Sequence, residues 1–432
     1  MSVASMPSKP RKVLYCESNV DGTIGGSHYC LLWLVQNLDR SAFTPLVVFY
    51  EDHALVPRFK EVAETMVLPQ ADPVTWGAGK SGLLALPLGV LRRGVNFVKF
   101  LKRVGGYVSF LKQHDIALVH QNNSIKRHND WMLASIVAGV PCIAHERGIN
   151  RHFSWGERQL GRRMKMIIPM SKSIMDFMVK GGVSPDNIRV LYDGLDPARV
   201  RPQRTPEALR QEFGVGPDQP VIGIVGNVRE WKGQETVVRA LIEVLKAHPD
   251  VVCFFVGATT PWDRAYREKL DRIIADAGIG ANVRFTGYQP DPASFVNMMS
   301  IVMHASIEPE PFGMVVLEAM AQRKPIVGSR AGGVVEMVVE GQTGYTFPPG
   351  DHAELARRLI ELLGDPARAS RMGEAGYQRL LDSFSIEQYM NGIHSVYHSI
   401  LDQRPLSSSI GIPASLSPAE RALPSRTPGP VR

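Results

Sequence analysis

The chain has 432 residues, about three times the length of one typical domain, so the sequence predicts two or three domains. Hydrophobic residues make up 44% and charged residues 21%, an ordinary globular balance that argues against wholesale disorder. The formal net charge of +7 suits acidic small molecules or anionic lipid surfaces and does not require nucleic acid as a partner.

The cysteines Cys16, Cys30, Cys142 and Cys253 include no Cys-x-x-Cys pair. A disulfide framework or a zinc site is therefore not expected, and a reducing cytoplasm is the simpler location. The apolar run Val13–Cys16 is too short for a signal peptide, and no stretch reaches the ~20 apolar residues that span a membrane. These features predict a cytoplasmic protein, with peripheral attachment to the inner face of a membrane left open.

Short apolar runs alternate with amphipathic stretches, the pattern typical of parallel α/β sheets. The first series of predicted strands comprises Lys12–Cys16, Thr44–Phe49, Ile116–His120, Pro141–His145, Met166–Pro169 and Arg189–Leu191. The second comprises Val221–Val225, Val251–Val256, Val283–Thr286, Ile301–His304 and Pro325–Gly328. Helical periodicity lies between them, as in Glu235–Ala247, Ala265–Ala277 and Ala353–Leu363.

These two series predict two doubly wound domains, at residues 11–200 and 217–385, joined by a linker at 201–216. Residues 1–10 and the Pro/Ser/Arg-rich residues 404–432 are predicted to be disordered, and 386–403 to be helical. In such proteins the ligand normally binds in a cleft at the carboxyl ends of the strands.

The most informative motif is the segment Glu308–Glu318, which reads EPEPFGMVVLE. Its Pro and Gly residues end a predicted strand, and a helix is predicted to begin near Gly313. A helix start presents free N–H groups and a partial positive charge, which favour a bound diphosphate. Glu310 and Glu318 lie on either side of it and could bind hydroxyl groups at both ends of a nucleotide sugar. The alternative interpretation is that these are ordinary solvated glutamates.

This motif resembles the Glu-x7-Glu signature of retaining GT-B glycosyltransferases, specifically of glycosyltransferase family 4. The matching residues are Glu310, Phe312, Gly313, Glu318, Ala319, Met320 and Pro325. The resemblance covers nearly the whole span Val221–Ser385, in the family's order, through Trp231–Gly233, Val283–Gly287, Gly332–Glu336, Gly341–Gly344 and Pro349–Asp351.

The resemblance implies a GT-B fold: two Rossmann-like doubly wound parallel-sheet domains facing a central cleft, with a C-terminal helix that crosses back to the first domain. It implies retaining transfer of a hexose from a UDP- or GDP-linked sugar to a glycan or lipid-linked acceptor, in polysaccharide or cell-envelope biosynthesis. Glu310, a predicted catalytic residue, would then bind the donor sugar, and Glu318 the ribose. The other donor-binding residues implied in the second domain are Gly287, Phe312, Gly313, Met314 and Val315. No Asp-x-Asp motif occurs, so we expect a reaction without a metal or other cofactor.

A basic loop follows the strand Val221–Val225 and reads GNVREWKG from Gly226 to Gly233. Cations here would neutralise the leaving diphosphate, and removing one such preorganised group typically costs ~3 kcal/mol of barrier. Family members commonly carry arginine directly after the first glycine, where this chain has Asn227. Lys232 matches the family directly and Arg229 lies nearby, so both are predicted catalytic residues. Solvated loop charges are the alternative.

Three polar segments of the first domain are further candidates. Gly25 and Gly26 follow the first strand where family members carry a Gly-Gly pair that faces the donor. His120 and Asn122 end one strand, and His145 ends the next, so we expect their side chains to point into the cleft. His120 and His145 are predicted catalytic residues and Asn122 a donor-binding one. Asn122 replaces a histidine common in the family and cannot transfer protons near neutral pH.

The stretch 80–112 carries seven Lys or Arg residues and no Asp or Glu, interleaved with apolar residues. This pattern predicts an amphipathic helix on an anionic membrane surface, or a core helix with a basic solvated face. The preferred interpretation of the whole sequence is a glycosyltransferase. The alternatives are another nucleotide-sugar enzyme on the GT-B scaffold, such as an epimerase or a phosphorylase, and a non-catalytic basic membrane-binding protein.

Overall fold

The computed structural model describes residues 9–17, 25–68, 86–127 and 129–406, with the backbone alone for 86–95. Parts of several predictions lie outside these ranges: residues 1–8 of the N-terminus, 18–24 before the Gly-Gly pair, 80–85 of the basic stretch and 407–432 of the tail. Within the described residues, no helix combines the length and the apolar character needed to cross a bilayer.

Two parallel sheets dominate the described part of the chain, each with six strands. The first sheet has the order β3-β2-β1-β4-β5-β6 and the second β12-β11-β10-β7-β8-β9, which is the doubly wound order twice over. The strands of the first sheet are β1 (Arg11–Cys16), β2 (Phe43–Phe49), β3 (Glu64–Val67), β4 (Ile116–Gln121), β5 (Cys142–Glu146) and β6 (Met166–Pro169). Those of the second are β7 (Val221–Val225), β8 (Val252–Val256), β9 (Val283–Gly287), β10 (Ile301–His304), β11 (Ile326–Ser329) and β12 (Gly344–Phe347). The predicted fold class, with two doubly wound sheets, is confirmed.

Helices cover both sheets. The first half contains α1 (Gly26–Gln36), α2 (Val56–Lys60), α3 (Leu86–Gln113), α4 (Asn129–Ala138), α5 (Trp155–Arg163) and α6 (Lys172–Lys180). The second contains α7 (Pro206–Glu212), α8 (Gln234–Ala247), α9 (Arg264–Asp276), α10 (Pro292–Met298), α11 (Met314–Ala321), α12 (Val334–Met337), α13 (His352–Gly364) and α14 (Pro366–Ser383). The last helix, α15 (Ile386–Leu401), packs on the first sheet, because Tyr389, Ile393 and Tyr397 are buried in one apolar cluster with residues of β1 and β2.

One predicted strand is wrong. Arg189–Leu191 runs beside β6, where the N–H groups of Arg189 and Leu191 donate to the carbonyls of Ile167 and Pro169. Only one isolated β-bridge, between Ile167 and Ile188, forms here, and one bridge does not make a strand. Two edge strands, β3 and β12, went unpredicted because each has only four residues and lacks a run of branched apolar side chains.

The two halves touch beside the loop that carries Glu310. The hydroxyl of Ser171, at the start of α6, donates to the carbonyl of Pro311 at 2.7 Å. Glu336 of α12 accepts from the backbone N–H groups of Lys172 and Ser173 at 2.8 and 3.0 Å. A carboxylate at the N-terminus of α6 is electrostatically favourable, so these contacts fix the Glu310 loop relative to the first sheet.

Candidate functional site

A cleft of about 790 Å³ lies between the carboxyl ends of the two sheets. Its second-half wall consists of the continuous segment 310–314. Its first-half wall comes from the ends of β1, β4, β5 and β6 and from the start of α1. The residues of this wall are Glu17, Gly26, Ser27, Cys30, Asn123, Ser124, Lys126, Arg127, Arg147, Gly148, Asn150 and Met170. Parallel strands bring their carboxyl ends to one edge, which explains why residues so distant in sequence line one space.

Lys232 and Glu310 form an ion pair at this cleft. The Lys232 Nζ lies 2.8 Å from Oε1 and 2.9 Å from Oε2 of Glu310. Glu310 also contacts His304 Nε2 at 2.7 Å and accepts from the Ser306 hydroxyl at 2.9 Å. Burial by itself would raise the pKa of Glu310, but His304 and Lys232 outweigh it and hold that pKa well below its usual range. Glu310 is therefore a fixed negative charge with a cation beside it.

The sheet order explains this pairing. Lys232 lies in the loop after β7, Glu310 in the loop after β10, and these two strands are neighbours. His304 and Ser306 belong to the same group of residues and were not among the predicted site residues. Their sequence signal was available, since His304 is the last residue of a correctly predicted strand.

The helix predicted near Gly313 begins at Met314, with Gly313 as its N-terminal cap residue at φ +102°. No side chain caps this helix; the N–H of Val316 donates to the carbonyl of Gly313 at 2.8 Å, which leaves the N–H groups of Met314 and Val315 without a side-chain cap. Behind the loop, a Cβ on Gly332 would lie 2.0 Å from the carbonyl oxygen of Glu310, which requires glycine there. Phe312 is buried against Tyr192 at a ring-centroid distance of 6.0 Å. The segment is thus rigid on its inner side and open toward the cleft.

Glu318 lies one turn further along α11 and is half-buried. Within the ranges that the structure covers, its carboxylate has neither a hydrogen bond nor an ion pair, and burial raises its pKa to about 6. An unpartnered, partly buried carboxylate is costly unless a ligand hydrogen-bonds to it. Glu318 is not among the residues that line the cleft, and its role as a ribose ligand stays a prediction.

Arg229 and Gly287 lie away from these groups. The Arg229 side chain is 45% exposed, and its Nε lies 3.6 Å from Asp263 Oδ2. Gly287 ends β9 with φ +69° and accepts a hydrogen bond from the N–H of Gly257. Neither residue lines the cleft; Lys232 does not line it either, but contacts the lining residue Glu310, which Arg229 and Gly287 do not. The structure therefore brings together Lys232, Glu310 and Gly313 but leaves Arg229 and Gly287 outside this group.

In the first half, the Gly-Gly pair starts α1, and Gly26 lines the cleft. The N–H of Gly25 donates to His28 Nδ1 at 3.2 Å. Among the described residues, which do not include 18–24, no heavy atom lies within 4 Å of a Cβ built on Gly25 or Gly26. The donor-facing role of the pair stays a prediction.

The expectation that His120 and His145 point into the cleft is wrong. Both side chains are fully buried, and His120 Nε2 lies 2.7 Å from His145 Nδ1. On its other side, His120 Nδ1 lies 2.6 Å from the hydroxyl of Tyr397 in α15. Burial lowers the pKa of His120 to about 3 and that of His145 well below its usual value, so both rings are neutral at physiological pH. The two histidine side chains do not reach the cleft because α15 covers this edge of the sheet.

Asn122 also lies behind the wall and supports it. Its amide nitrogen donates to the Glu17 carboxylate and, at 3.1 Å, to the carbonyl of Ser27. Its Oδ1 accepts from Arg147 Nε at 3.1 Å. Asn122 therefore orients Glu17 and Arg147, two cleft residues that were not predicted, although both follow a strand of the first sheet directly.

Arg147 is a buried cation at the edge of the cleft. Its Nη1 lies 2.5 Å from Asp193, and its Nη2 lies 3.4 Å from the Tyr389 hydroxyl of α15. Burial opposes the charge, but Asp193 outweighs it and holds the pKa of Arg147 above its usual value. The charge of Arg147 is therefore permanent and already neutralised by a protein carboxylate.

Comparison with known proteins places this geometry in a class. The family model described as Glycosyl transferases group 1 matches residues 206–379. The complete fold is GT-B. The crystal structure of Anabaena HepE in complex with UDP is similar to it, with a TM-score of 0.75 and 25% identity, covering 90% of this chain and 100% of that one.

Two curated relatives are similar over the second half. The chain is 32% identical over 212 residues to the lipopolysaccharide core biosynthesis mannosyltransferase LpcC of Rhizobium leguminosarum bv. viciae, an alignment that covers 49% of this chain and 60% of the relative. It is 32% identical over 203 residues to the GDP-mannose-dependent alpha-(1-6)-phosphatidylinositol monomannoside mannosyltransferase of Mycolicibacterium smegmatis, covering 45% and 52%. The chain thus covers 60% of the length of the first relative and 52% of the length of the second.

Proposed function

We propose that this protein is a retaining glycosyltransferase that moves a hexose from a UDP- or GDP-linked sugar to a glycan or lipid-linked acceptor. The observation that carries the proposal is the ion pair between Lys232 and Glu310, a residue that lines the cleft between two doubly wound sheets, beside the start of α11. Both nucleotides are included because UDP is bound in the Anabaena structure and GDP-mannose is named for the M. smegmatis relative.

In this proposal the donor lies along α11. The N–H groups at Gly313, Met314 and Val315 bind the diphosphate, where the helix dipole favours negative charge. Glu318 accepts hydrogen bonds from the ribose hydroxyls, and Glu310 from hydroxyls of the transferred sugar. The carboxylate of Glu318 supports this assignment, because it is half-buried and, among the described residues, has no hydrogen-bond or ion-pair partner that a ribose hydroxyl would have to displace.

The reaction is a displacement on one face of the sugar. The bond between the anomeric carbon and the diphosphate oxygen breaks, and the acceptor oxygen bonds to the same face of that carbon. The proton of the acceptor hydroxyl passes to the departing diphosphate, so charge and atoms balance without an enzymic nucleophile. Lys232 and the α11 N–H groups stabilise the negative charge that grows on the diphosphate, which gives them the role that a divalent ion has in other transferases. We therefore propose a metal-independent reaction.

The test of the donor site is Glu318→Ala. Hydrogen bonds to a charged group contribute about 1.5–3 kcal/mol, so we expect the donor Kd to rise about 10- to 100-fold. The measurement is titration calorimetry with UDP- and GDP-sugars. Because ribose hydroxyls donate to the ionised carboxylate, wild-type affinity should also weaken as the pH falls below about 6, the pKa of Glu318.

The matched control is Glu243→Ala, which removes an exposed glutamate on α8 far from the cleft. It should leave the donor Kd and its pH dependence unchanged. A Glu318→Ala protein that folds normally and binds donor with wild-type affinity would contradict the assignment of α11 as the donor site.

We further propose that the protein acts on acceptors of the cell envelope, at the cytoplasmic face of a membrane. The four cysteines are unpaired, as is usual in a reducing compartment. On α3, the apolar residues Phe97, Val98 and Leu101 are 48%, 64% and 45% exposed, beside the exposed Lys99 and Lys102. This face combines apolar and basic side chains, as surface-bound amphipathic helices do.

Replacing Phe97 and Leu101 by serine should weaken binding to anionic vesicles at least tenfold, since each buried large apolar side chain contributes about 1.5–3 kcal/mol. Vesicle sedimentation with and without phosphatidylglycerol measures this. Trp262→Ser is the control, because Trp262 is 93% exposed in the second half of the chain. Equal binding of the wild type to neutral and anionic vesicles would count against the membrane proposal.

A further inference from the structure

Two adjacent cations, Lys126 and Arg127, line the first-half wall of the cleft. The side chain of Lys126 is half-buried, with its Nζ 5.9 Å from the ring centre of Phe153, whereas Arg127 is exposed. Among the residues that the structure describes, neither side chain takes part in an ion pair. They stand on the wall across from Glu310 and Gly313, which belong to the second half.

The backbone that carries these cations is held in place by a buried carboxylate. Glu146, at the end of β5, accepts hydrogen bonds from the Ser124 hydroxyl at 3.0 Å and the Ile125 N–H at 3.2 Å. Its other oxygen accepts from Asn150 Nδ2 at 2.5 Å. The N–H of Lys126 in turn donates to Ser124 Oγ at 3.1 Å. Lys126 and Arg127 therefore belong to a segment whose backbone is fixed by hydrogen bonds.

The other cations of the site are already neutralised. Arg147 faces Asp193 and Lys232 faces Glu310, both within ion-pair distance. The acidic residue Glu17 on the same wall receives amide hydrogens from Asn122 and Asn123. Lys126 interacts electrostatically with the buried Glu146 carboxylate, but no ion pair within the described residues holds Lys126 or Arg127, so an anion can bind both without breaking one. Like charges next to each other in a concave site attract an anion strongly, and arginine with lysine suits phosphate and carboxylate oxygens.

We propose that the acceptor carries an anionic group, a phosphate or a carboxylate, which binds Lys126 and Arg127 and so directs the acceptor hydroxyl toward the donor sugar. This inference rests on the proposed transferase function and specifies the class of acceptor. The two cations belong to the wall across from α11, so the proposal assigns them to the acceptor, and the nucleotide affinity of a variant that lacks them tests this assignment.

The test uses the full chain saturated with UDP or GDP, whichever binds more tightly, and three probes: mannose, mannose 6-phosphate and glucuronate. We expect mannose 6-phosphate, glucuronate or both to bind at least tenfold more tightly than mannose, and the preference to shrink between 50 and 300 mM salt. In the double variant Lys126→Gln/Arg127→Gln the preference should disappear, while the nucleotide Kd stays within twofold. Comparing the phosphate with the carboxylate probe distinguishes the two sources of charge.

The matched control is Arg162→Gln/Arg163→Gln, which removes an equally adjacent pair of exposed cations from the last turn of α5, outside the cleft. It should keep the preference for anionic probes. Equal binding of all three probes, no binding of any, a preference retained in the Lys126/Arg127 variant, or a loss of nucleotide affinity in that variant would each overturn the inference. Hydrolysis of the nucleotide sugar by the wild type, measured separately, shows whether the proposed function itself stands.

Discussion

Replacing Lys232 by alanine is expected to lower the turnover number about 10²- to 10³-fold, because removing one preorganised charge that stabilises a developing anion costs about 3–4 kcal/mol. Lys232 is 20% exposed and contacts both carboxylate oxygens of Glu310, so its ammonium group is fixed before substrate arrives. The measurement is nucleotide release from the donor sugar, with and without an acceptor.

The same substitution leaves Glu310 with His304 and Ser306 as its remaining partners. A thermal melt and gel filtration therefore accompany the kinetics, to separate a catalytic loss from unfolding. Lys246→Ala is the control, because Lys246 forms a comparable 2.8 Å ion pair with Glu243 on the exposed side of α8. Lys232→Arg should recover part of the rate, since it restores the charge with a different shape. A folded Lys232→Ala protein with a turnover number within threefold of wild type would refute the role proposed for this residue.

The second-half site was predictable because each of its parts is local in sequence or follows from sheet order. Glu310, Gly313 and Glu318 belong to one motif at one strand–helix junction. Lys232 joins them because β7 and β10 are neighbours, as a doubly wound order requires. The strand pattern predicted a doubly wound sheet, since buried runs of branched residues alternated with helices.

The first-half site was less predictable, because its side-chain directions depend on a distant element. His120 and His145 do end strands, as predicted, but Tyr397 of α15 meets His120 from 277 residues away in sequence. Strand periodicity alone does not show that a late helix covers this edge. Arg147 is likewise held by Asp193 and Tyr389, and no local pattern links these three residues. Arg229 illustrates a different difficulty, since its partner Asp263 follows β8 on the other side of β7.

Replacing Glu310 by glutamine should separate sugar chemistry from nucleotide binding. The neutral amide keeps the shape of the side chain but removes the charge that Lys232 and His304 hold in place. We expect the turnover number to fall at least about 100-fold, because the hydrogen bonds to the transferred sugar lose a charged acceptor that acts in the transition state. UDP or GDP should nevertheless bind with unchanged or higher affinity.

Turnover and nucleotide affinity are expected to respond differently because Glu310 and the diphosphate compete for Lys232. In the wild type, Glu310 holds the ammonium group through both of its oxygens, and a diphosphate must share it. Glutamine releases that charge to the diphosphate, whereas Glu318→Ala removes a contact to the ribose and should weaken nucleotide binding. Titration calorimetry with the nucleotide alone, beside steady-state kinetics with the nucleotide sugar, measures both effects. If Glu310→Gln weakened nucleotide binding as much as Glu318→Ala does, Glu310 would belong to the nucleotide site and its assignment to the sugar would be wrong.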